Sequence, residues 1–247
     1  MPTADTVIRI SSVHDMEALR ERFRQHGRIQ VRNFLGLASA DAVSNALRTQ
    51  KRWNLVYTNA GVHVDADANA IARWPRHQRD KLNKLVYCQA TDQFQYMYAT
   101  VPIYDIYHQN QLPGHYFNDI FEFLNSDPFL DFARFVTSDD SIGFADAQAT
   151  RFDPGHFLNG HDDAVSGKNR RIAYVLSLSP VWRTDWGGCL QFMNSLGNIE
   201  EAYAPTYNAL CMFRVPSDHS VSMVAPFAGA SRYSITGWLR SGRDPQR

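Results

Sequence analysis

Apolar positions recur with two different periods along the chain, and the change falls near residue 143. Upstream, helical spacing dominates. Ser12 and Asp15 open a predicted helix, Ser12 as N-cap and Asp15 in the first turn; Leu19 and Phe23 give it an apolar face, and Gly27 stops it. Residues 28–35, RIQVRNFL, read as a strand, and Ser39 caps a second helix running to about Gln50. Residues 76–90 form a charged helical stretch, and 117–136 a helix broken at Asp127-Pro128. Between them, Phe94, Tyr96 and Tyr98 alternate with Gln95 and Met97, a strand pattern with an aromatic face.

Downstream the period becomes two. The runs RRIAYVLSL (170–178), GCLQFM (188–193), ALCMFRV (209–215), HSVSMVAPF (219–227) and SRYSITGWL (231–239) are separated by Gly, Pro, Asn and Asp. Short strands at this spacing predict a sandwich or barrel. The expected fold class is α+β: one domain over 1–247, with a mixed helical and strand part (1–142), an antiparallel β-core (143–240) and a tail (241–247).

The chain of 247 residues is 44% hydrophobic and 20% charged, enough to bury a core without disulfides. Its 25 basic and 25 acidic residues balance, which gives no electrostatic reason to expect nucleic acid or an anionic membrane as partner. The three cysteines, Cys88, Cys189 and Cys211, form no CxxC pair and suit a reducing compartment. The start, MPTADTVIRISS, lacks the basic and apolar regions of a secretory signal, and no stretch nears the roughly 18 apolar residues of a membrane helix. A cytoplasmic location is expected; oligomeric state is not indicated.

Chemistry concentrates in GHFLNGHDD, 155–163. On extended backbone His161 and Asp163, at i and i+2, share one face, so an imidazole and a carboxylate can approach one ion. His219, 58 residues later at the head of a predicted strand, supplies a third ligand. Two histidines and a carboxylate on one face of an octahedron leave three positions open, the arrangement of non-haem Fe(II) oxygenases. An HxD tripeptide alone is a weak signal, and His63-Val64-Asp65 repeats it in the polar stretch GVHVDADANA, which reads as a solvated loop. The several β-runs and the late His and Arg that follow His161 separate the two. Arg232, 13 residues after His219, shares a strand face with Ser234. An inward Arg in a β-core needs an anion, and a guanidinium matches a ligand carboxylate.

These pieces in this order, HDD, RRIAYVLSL, a tryptophan, GG, a late His and RYSITGW, resemble the prolyl hydroxylase branch of the 2-oxoglutarate/Fe(II) dioxygenases. The chain is similar to the ribosomal-protein prolyl hydroxylases of yeast and animals and their bacterial relatives, and more distantly to the hypoxia-factor prolyl hydroxylases. The resemblance covers about residues 150–240. It implies a double-stranded β-helix (jelly roll) with N-terminal helices packed on it. It implies His161, Asp163 and His219 as iron ligands and Arg232, assisted by Ser234, as partner of the 2-oxoglutarate C5 carboxylate. Fe(II) is then the cofactor, 2-oxoglutarate and O2 are cosubstrates, and ascorbate is a candidate auxiliary reductant. Gly187 and Gly188 match paired glycines opening a core strand; Trp182 and Trp238 match core aromatics. Asp163 argues against a halogenase, and Trp238, where nucleic-acid demethylases carry a second Arg, argues against that branch.

Two departures concern the cosubstrate pocket. Close relatives carry a tyrosine nine residues before the first iron histidine, where this chain has Phe152, and another where it has Ser177. Ser177 through water, or Ser234, is the expected replacement contact. His156 is a minor candidate for touching substrate; Tyr96 and Tyr98 could line the pocket, as the aromatic strand suggests, but most aromatic stripes are core and they are left out of the site. The remaining histidines, among them His108, lack partners at useful spacing. The expected activity is hydroxylation of an unactivated C–H bond, foremost of a prolyl residue in a protein or peptide. A hydroxylase of a free amino acid or another small metabolite, and a non-catalytic jelly-roll binding protein, are the alternatives.

Overall fold

The computed structural model describes residues 7–246; the first six residues, part of the stretch read as lacking a signal, and Arg247 of the tail lie outside them. The chain forms α1 (Met16–His26), β1 (Arg28–Arg32), α2 (Leu37–Thr49), β2 (Asn54–Asn59), β3 (Val62–Asp67), α3 (Ala68–Ala72), α4 (Arg76–Gln89), β4 (Tyr96–Val101), α5 (Ile103–His108), α6 (Tyr116–Leu124) and α7 (Asp127–Thr137). There follow β5 (Ile142–Ala145), β6 (Gln148–Phe152), β7 (Phe157–His161), β8 (Arg170–Ser177), β9 (Leu190–Met193), β10 (Ile199–Tyr203), β11 (Ala209–Arg214), β12 (His219–Val221) and β13 (Arg232–Ser241).

Hydrogen bonds link the strands in the order β1-β11-β8-β13-β6-β4-β7-β12-β9-β10, with β2 and β3 extending outward from β4 and β5 pairing with the end of β13. Every pairing is antiparallel. Strand β4 pairs with both β6 and β7, and so carries the sheet round into a nearly closed jelly-roll barrel. The class is α+β, as the sequence predicts.

Alternation of side chains gives the barrel wall two faces. Ile172, Tyr174 and Leu176 of β8, Leu210 and Met212 of β11, Ile235 and Leu239 of β13, and Ala99 and Val101 of β4 point outward. They meet Phe117, Phe121 and Leu124 of α6, Phe129, Phe132 and Val136 of α7, and Val43 and Leu47 of α2 in one apolar layer. The opposite phase, including Ala173, Cys211, Phe213 and Phe152, lines the barrel interior. Because the helices cover one face and the interior is enclosed, β11 is buried on both faces and reads as a continuous apolar run.

Several element boundaries differ from expectation. Asp15, not Ser12, caps α1 by accepting from the Ala18 amide, while Gly27 ends it in the left-handed region at φ 66°, its N–H donating to the Phe23 carbonyl. Gly36 precedes α2; Ser39 lies inside the helix, and its Oγ accepts from the Arg9 amide. The run 219–227 is a strand only through Val221, because Val224 turns away to bridge Gly187 and to donate to the His156 carbonyl. The stretch holding His63 and Asp65 is not a loop but the exposed outer strand β3, with His63 Nδ1 2.6 Å from the Tyr96 hydroxyl. His108 does find a carboxylate: Asp244, nearly buried, accepts from the Tyr104 hydroxyl (2.6 Å) and lies 3.0 Å from His108 Nε2, which ties the tail to α5. No helix among the described residues is long and apolar enough to cross a membrane.

Candidate active site

His161 ends β7 and His219 begins β12, and the two stand opposite each other in the antiparallel ladder. Their rings are 4.1 Å apart between centroids. Asp163 follows His161 by two residues, just past the strand, where its backbone turns into the left-handed region at φ 65°. That conformation costs about 1 kcal/mol for an L-residue and suits Asp better than most. A hydrogen bond from Arg170 Nη1 to the Asp163 carbonyl (3.0 Å) holds it. The Arg170 guanidinium sits 3.4 Å from the centroid of the Trp238 ring. Asp163 therefore reaches both histidines: Oδ1 lies 3.4 Å from His161 Nε2, and Oδ2 lies 3.4 Å from His219 Nε2.

The tautomers follow from the backbone. His161 Nδ1 lies 2.9 Å from the Asn159 carbonyl and His219 Nδ1 2.7 Å from the Ser217 carbonyl. A carbonyl only accepts, so Nδ1 carries the proton in both rings and each Nε2 keeps a lone pair directed at the other ligands. Ligand atoms of the three residues lie within 4.8 Å of one another. Burial opposes charging His161, but the Asp163 carboxylate outweighs it and raises the ring's pKa; burial and the neighbouring His161 lower that of His219. Burial also opposes ionisation of Asp163, yet the two imidazoles hold it below the usual carboxylate range. Two neutral imidazole nitrogens and an ionised carboxylate on one side of a cavity fit a divalent first-row transition ion such as Fe(II). Among the described residues this is the one such cluster.

The cluster opens on a cavity of about 560 Å3 running into the barrel. Arg232 lies on its wall, 2% exposed. Its Nη1 donates to Ser234 Oγ (3.3 Å), its Nε has no partner, and its guanidinium carbon is 5.1 Å from the Phe152 ring centroid. Among the described residues no carboxylate pairs with it. Burial draws its pKa down to about 10, so it stays cationic at neutral pH. A buried cation with an unfilled donor is a carboxylate-binding site.

Neither expected serine reaches the cavity. Ser234 is fully buried behind Arg232, with Thr150 Oγ1 3.2 Å from its hydroxyl, and Ser177 is its cross-strand partner. β8 lines the cavity with Ala173 and Val175 instead. Tyr174, on the other phase, packs its ring against Phe129 and donates to the Asp146 carbonyl. Trp182 donates to the Gly187 carbonyl and packs on the interior cluster, whereas Trp238, expected in the core, lines the cavity beside Asp163. His156 is buried with Nδ1 unpartnered, outside the cavity wall.

Sequence reasoning set Tyr96 and Tyr98 aside and missed Gln148, Thr150 and Arg170, all on the wall. The aromatic face of β4 forms one side of the cavity, and a ladder of rings descends it. Phe94, 50% exposed at the mouth, stands 5.7 Å from His161 and 5.6 Å from Tyr96, and Tyr96 stands 5.7 Å from Tyr98. The phase of β4 puts Tyr96 and Tyr98 on one face, and Phe94, two residues before the strand, continues the ladder.

Residues 147–240 match the family described as the 2OG-Fe(II) oxygenase superfamily. Prolyl 3-hydroxylase OGFOD1 of Mus musculus is 29% identical over 149 residues, covering 50% of this chain and 27% of that protein; the match thus spans about a quarter of the relative's length. A prolyl-4-hydroxylase of Pseudomonas putida superposes with a TM-score of 0.58 at 19% identity, covering 92% of this chain and 99% of that one. A prolyl hydroxylase of Trichoplax adhaerens, solved in complex with a hypoxia inducible factor oxygen degradation domain peptide fragment, superposes with a TM-score of 0.56 at 14% identity, covering 92% and 89%. These two likenesses are of fold.

Proposed function

We propose, from the premise that residues 147–240 belong to the 2OG-Fe(II) oxygenase superfamily, that this protein is an Fe(II)- and 2-oxoglutarate-dependent dioxygenase hydroxylating a prolyl residue of a protein or peptide. One observation carries the reading: the His161–Asp163–His219 cluster and the buried, acid-free Arg232 face the same cavity.

His161, Asp163 and His219 would hold the metal. The iron, when bound, supplies the O2 chemistry that couples decarboxylation of 2-oxoglutarate to succinate and CO2 with oxygen insertion into a substrate C–H bond. Arg232 pairs with the far carboxylate of 2-oxoglutarate and fixes its orientation before reaction. Ser234 steadies the guanidinium from behind rather than contacting the ligand. The Asn159 and Ser217 carbonyls keep both Nε2 lone pairs aimed at the ion. Leu158, Leu190, Phe213 and Val221 on the wall exclude water from the reacting atoms.

A polypeptide substrate is favoured over a free amino acid by the rim, where Phe94 and Val165 are exposed apolar side chains that can pack on residues flanking the reacting one. The relatives named above are prolyl hydroxylases, one solved with a peptide. Three unpaired thiols, Cys88, Cys189 and Cys211, fit the reducing cytoplasm.

The test is succinate formation from 2-oxoglutarate with proline-containing peptides against free proline and other amino acids. Peptide-stimulated turnover, lost in Asp163→Ala, is expected. Turnover stimulated only by a free amino acid would replace the substrate class. A fully active Asp163→Ala variant would remove the ligand assignment. A wild-type protein that binds no Fe(II) would leave a non-catalytic jelly roll.

A further inference from the structure

We propose that the Tyr98 hydroxyl is a second binding group for 2-oxoglutarate, donating a hydrogen bond to a carboxylate oxygen on the metal side of the cavity while Arg232 grips the opposite end. The inference rests on the oxygenase reading above and adds to it a residue on β4, outside the segment 147–240 that matches the family.

Register places Tyr98 there. Ala99 pairs with Arg151 in the β4–β6 ladder, so Tyr98 lies next to Phe152. The two rings stack face to face, 4.9 Å apart at 10°. Phe152 in turn lies under the Arg232 guanidinium. The layers are therefore guanidinium, phenyl, phenol. Phe152 supplies surface to this stack but no donor. Tyr98 is the member that adds a hydroxyl to the cavity wall.

The surroundings orient that hydroxyl. Gln148 and Thr150 of β6 share its face. Thr100 Oγ1 donates to Gln148 Oε1 at 2.9 Å, which turns the Gln148 amide NH2 away from Thr100. With its Oε1 taken by Thr100, Gln148 has only its NH2 to offer on the cavity face, where the Tyr98 oxygen can accept it. The phenol's own proton is then left for a ligand. Burial, with Tyr96 and Asp163 nearby, pushes the Tyr98 pKa up to about 12, so the group stays a neutral donor across the working pH range. The ring ladder Tyr98–Tyr96–Phe94–His161 and the shared cavity wall with Asp163 put the hydroxyl within the metal half of the cavity. A neutral donor beside Asp163 can receive a carboxylate there without adding charge.

The test is an anaerobic titration of the full chain with Fe(II) and 2-oxoglutarate, following the visible charge-transfer absorption of the complex, in wild type, Tyr98→Phe and Arg232→Met. Tyr98→Phe keeps the stacked ring, so its melting temperature and its affinity for Fe(II) alone are expected to match wild type. Its Kd for 2-oxoglutarate is expected to rise about tenfold, the usual scale for one hydrogen bond to a charged group. A wild-type Kd in Tyr98→Phe, with binding lost in Arg232→Met, would overturn the Tyr98 assignment and leave the oxygenase reading standing. A wild-type Kd in Arg232→Met would overturn the reading of the cavity itself. Weakened Fe(II) binding in Tyr98→Phe would reassign Tyr98 to support of Asp163 and overturn its role toward 2-oxoglutarate.

Discussion

Asp146 is a half-buried carboxylate. Its Oδ1 accepts from the Trp238 amide at 2.7 Å, and Arg240 is the nearest cation, at 3.7 Å. Burial raises its pKa from 3.8 to about 6. The folded chain therefore binds this proton more tightly than the unfolded chain does. The resulting stability is complete below about pH 4 and is lost as pH rises through about 6. Asp146→Asn keeps an acceptor for the Trp238 amide but cannot ionise. With 17% of the side chain still exposed, the variant is expected to be more stable than wild type by about 1–2 kcal/mol at pH 8, and to show no such advantage at pH 4. Urea unfolding at the two pH values checks this. The candidate cluster was legible from the HxD spacing and the late His, but Asp163 joins His161 through a left-handed turn past β7 and not through the strand period the sequence suggested; Arg232 was legible because an inward Arg is costly without a ligand. Tyr98 was legible only as one of two readings. An aromatic strand looks the same whether it faces a core or a cavity, and only the pairing with β6 decides which.

At the scale of elements, the entry to β9 controls Arg232. Gly187 and Gly188 both adopt positive φ, 69° and 63°. A Cβ at Gly188 would stand 3.0 Å from Arg232 Cδ and 3.2 Å from both Trp182 and Val224. One at Gly187 would stand 2.2 Å from the Met223 carbonyl oxygen, which cannot move aside. Gly188→Ala is expected to cost about 1–2 kcal/mol in stability through its backbone conformation. By displacing Arg232 it should also weaken 2-oxoglutarate binding several-fold. Gly187→Ala should cost more, about 3 kcal/mol, with the barrel edge disturbed. Thermal melts and ligand titrations of the two variants separate these effects. Elements with an uninterrupted apolar period were readable: α4, α7 and β8 lie close to where the pattern put them. The strands β6 and β7 were not, because Gln148, Thr150 and Asn159 interrupt the apolar alternation. Gln148 and Thr150 are polar because they face the cavity, and Asn159 because it bonds the Ala90 carbonyl (3.3 Å). Strand β3, rich in Ala and Asp, was hidden for the opposite reason: both faces are largely exposed, so burial leaves no alternation to read.

At the scale of the molecule, the change of pattern near residue 143 does not mark two independent parts. β4 lies between β6 and β7, and β1 covers the free edge of β11. A fragment of residues 143–247 would expose the inner edges of three strands and the whole apolar layer that α2, α6 and α7 cover. It is expected to show no cooperative unfolding by circular dichroism, and co-expression with residues 1–142 should restore it. The composition of the N-terminal half concealed this role, since no short-range signal tells a strand which distant partner it will join.

The facing of His219 and His161 across β7 and β12 has one more consequence. β12 is three residues long, and a slip of one would present Ser220 where His219 stands. No metal could then gather its three ligands. An ion held by this cluster would act as a proofreader of assembly, favouring only the chain whose two strands have met in the correct frame. The metal content of a preparation, measured against protein, would count correctly built molecules.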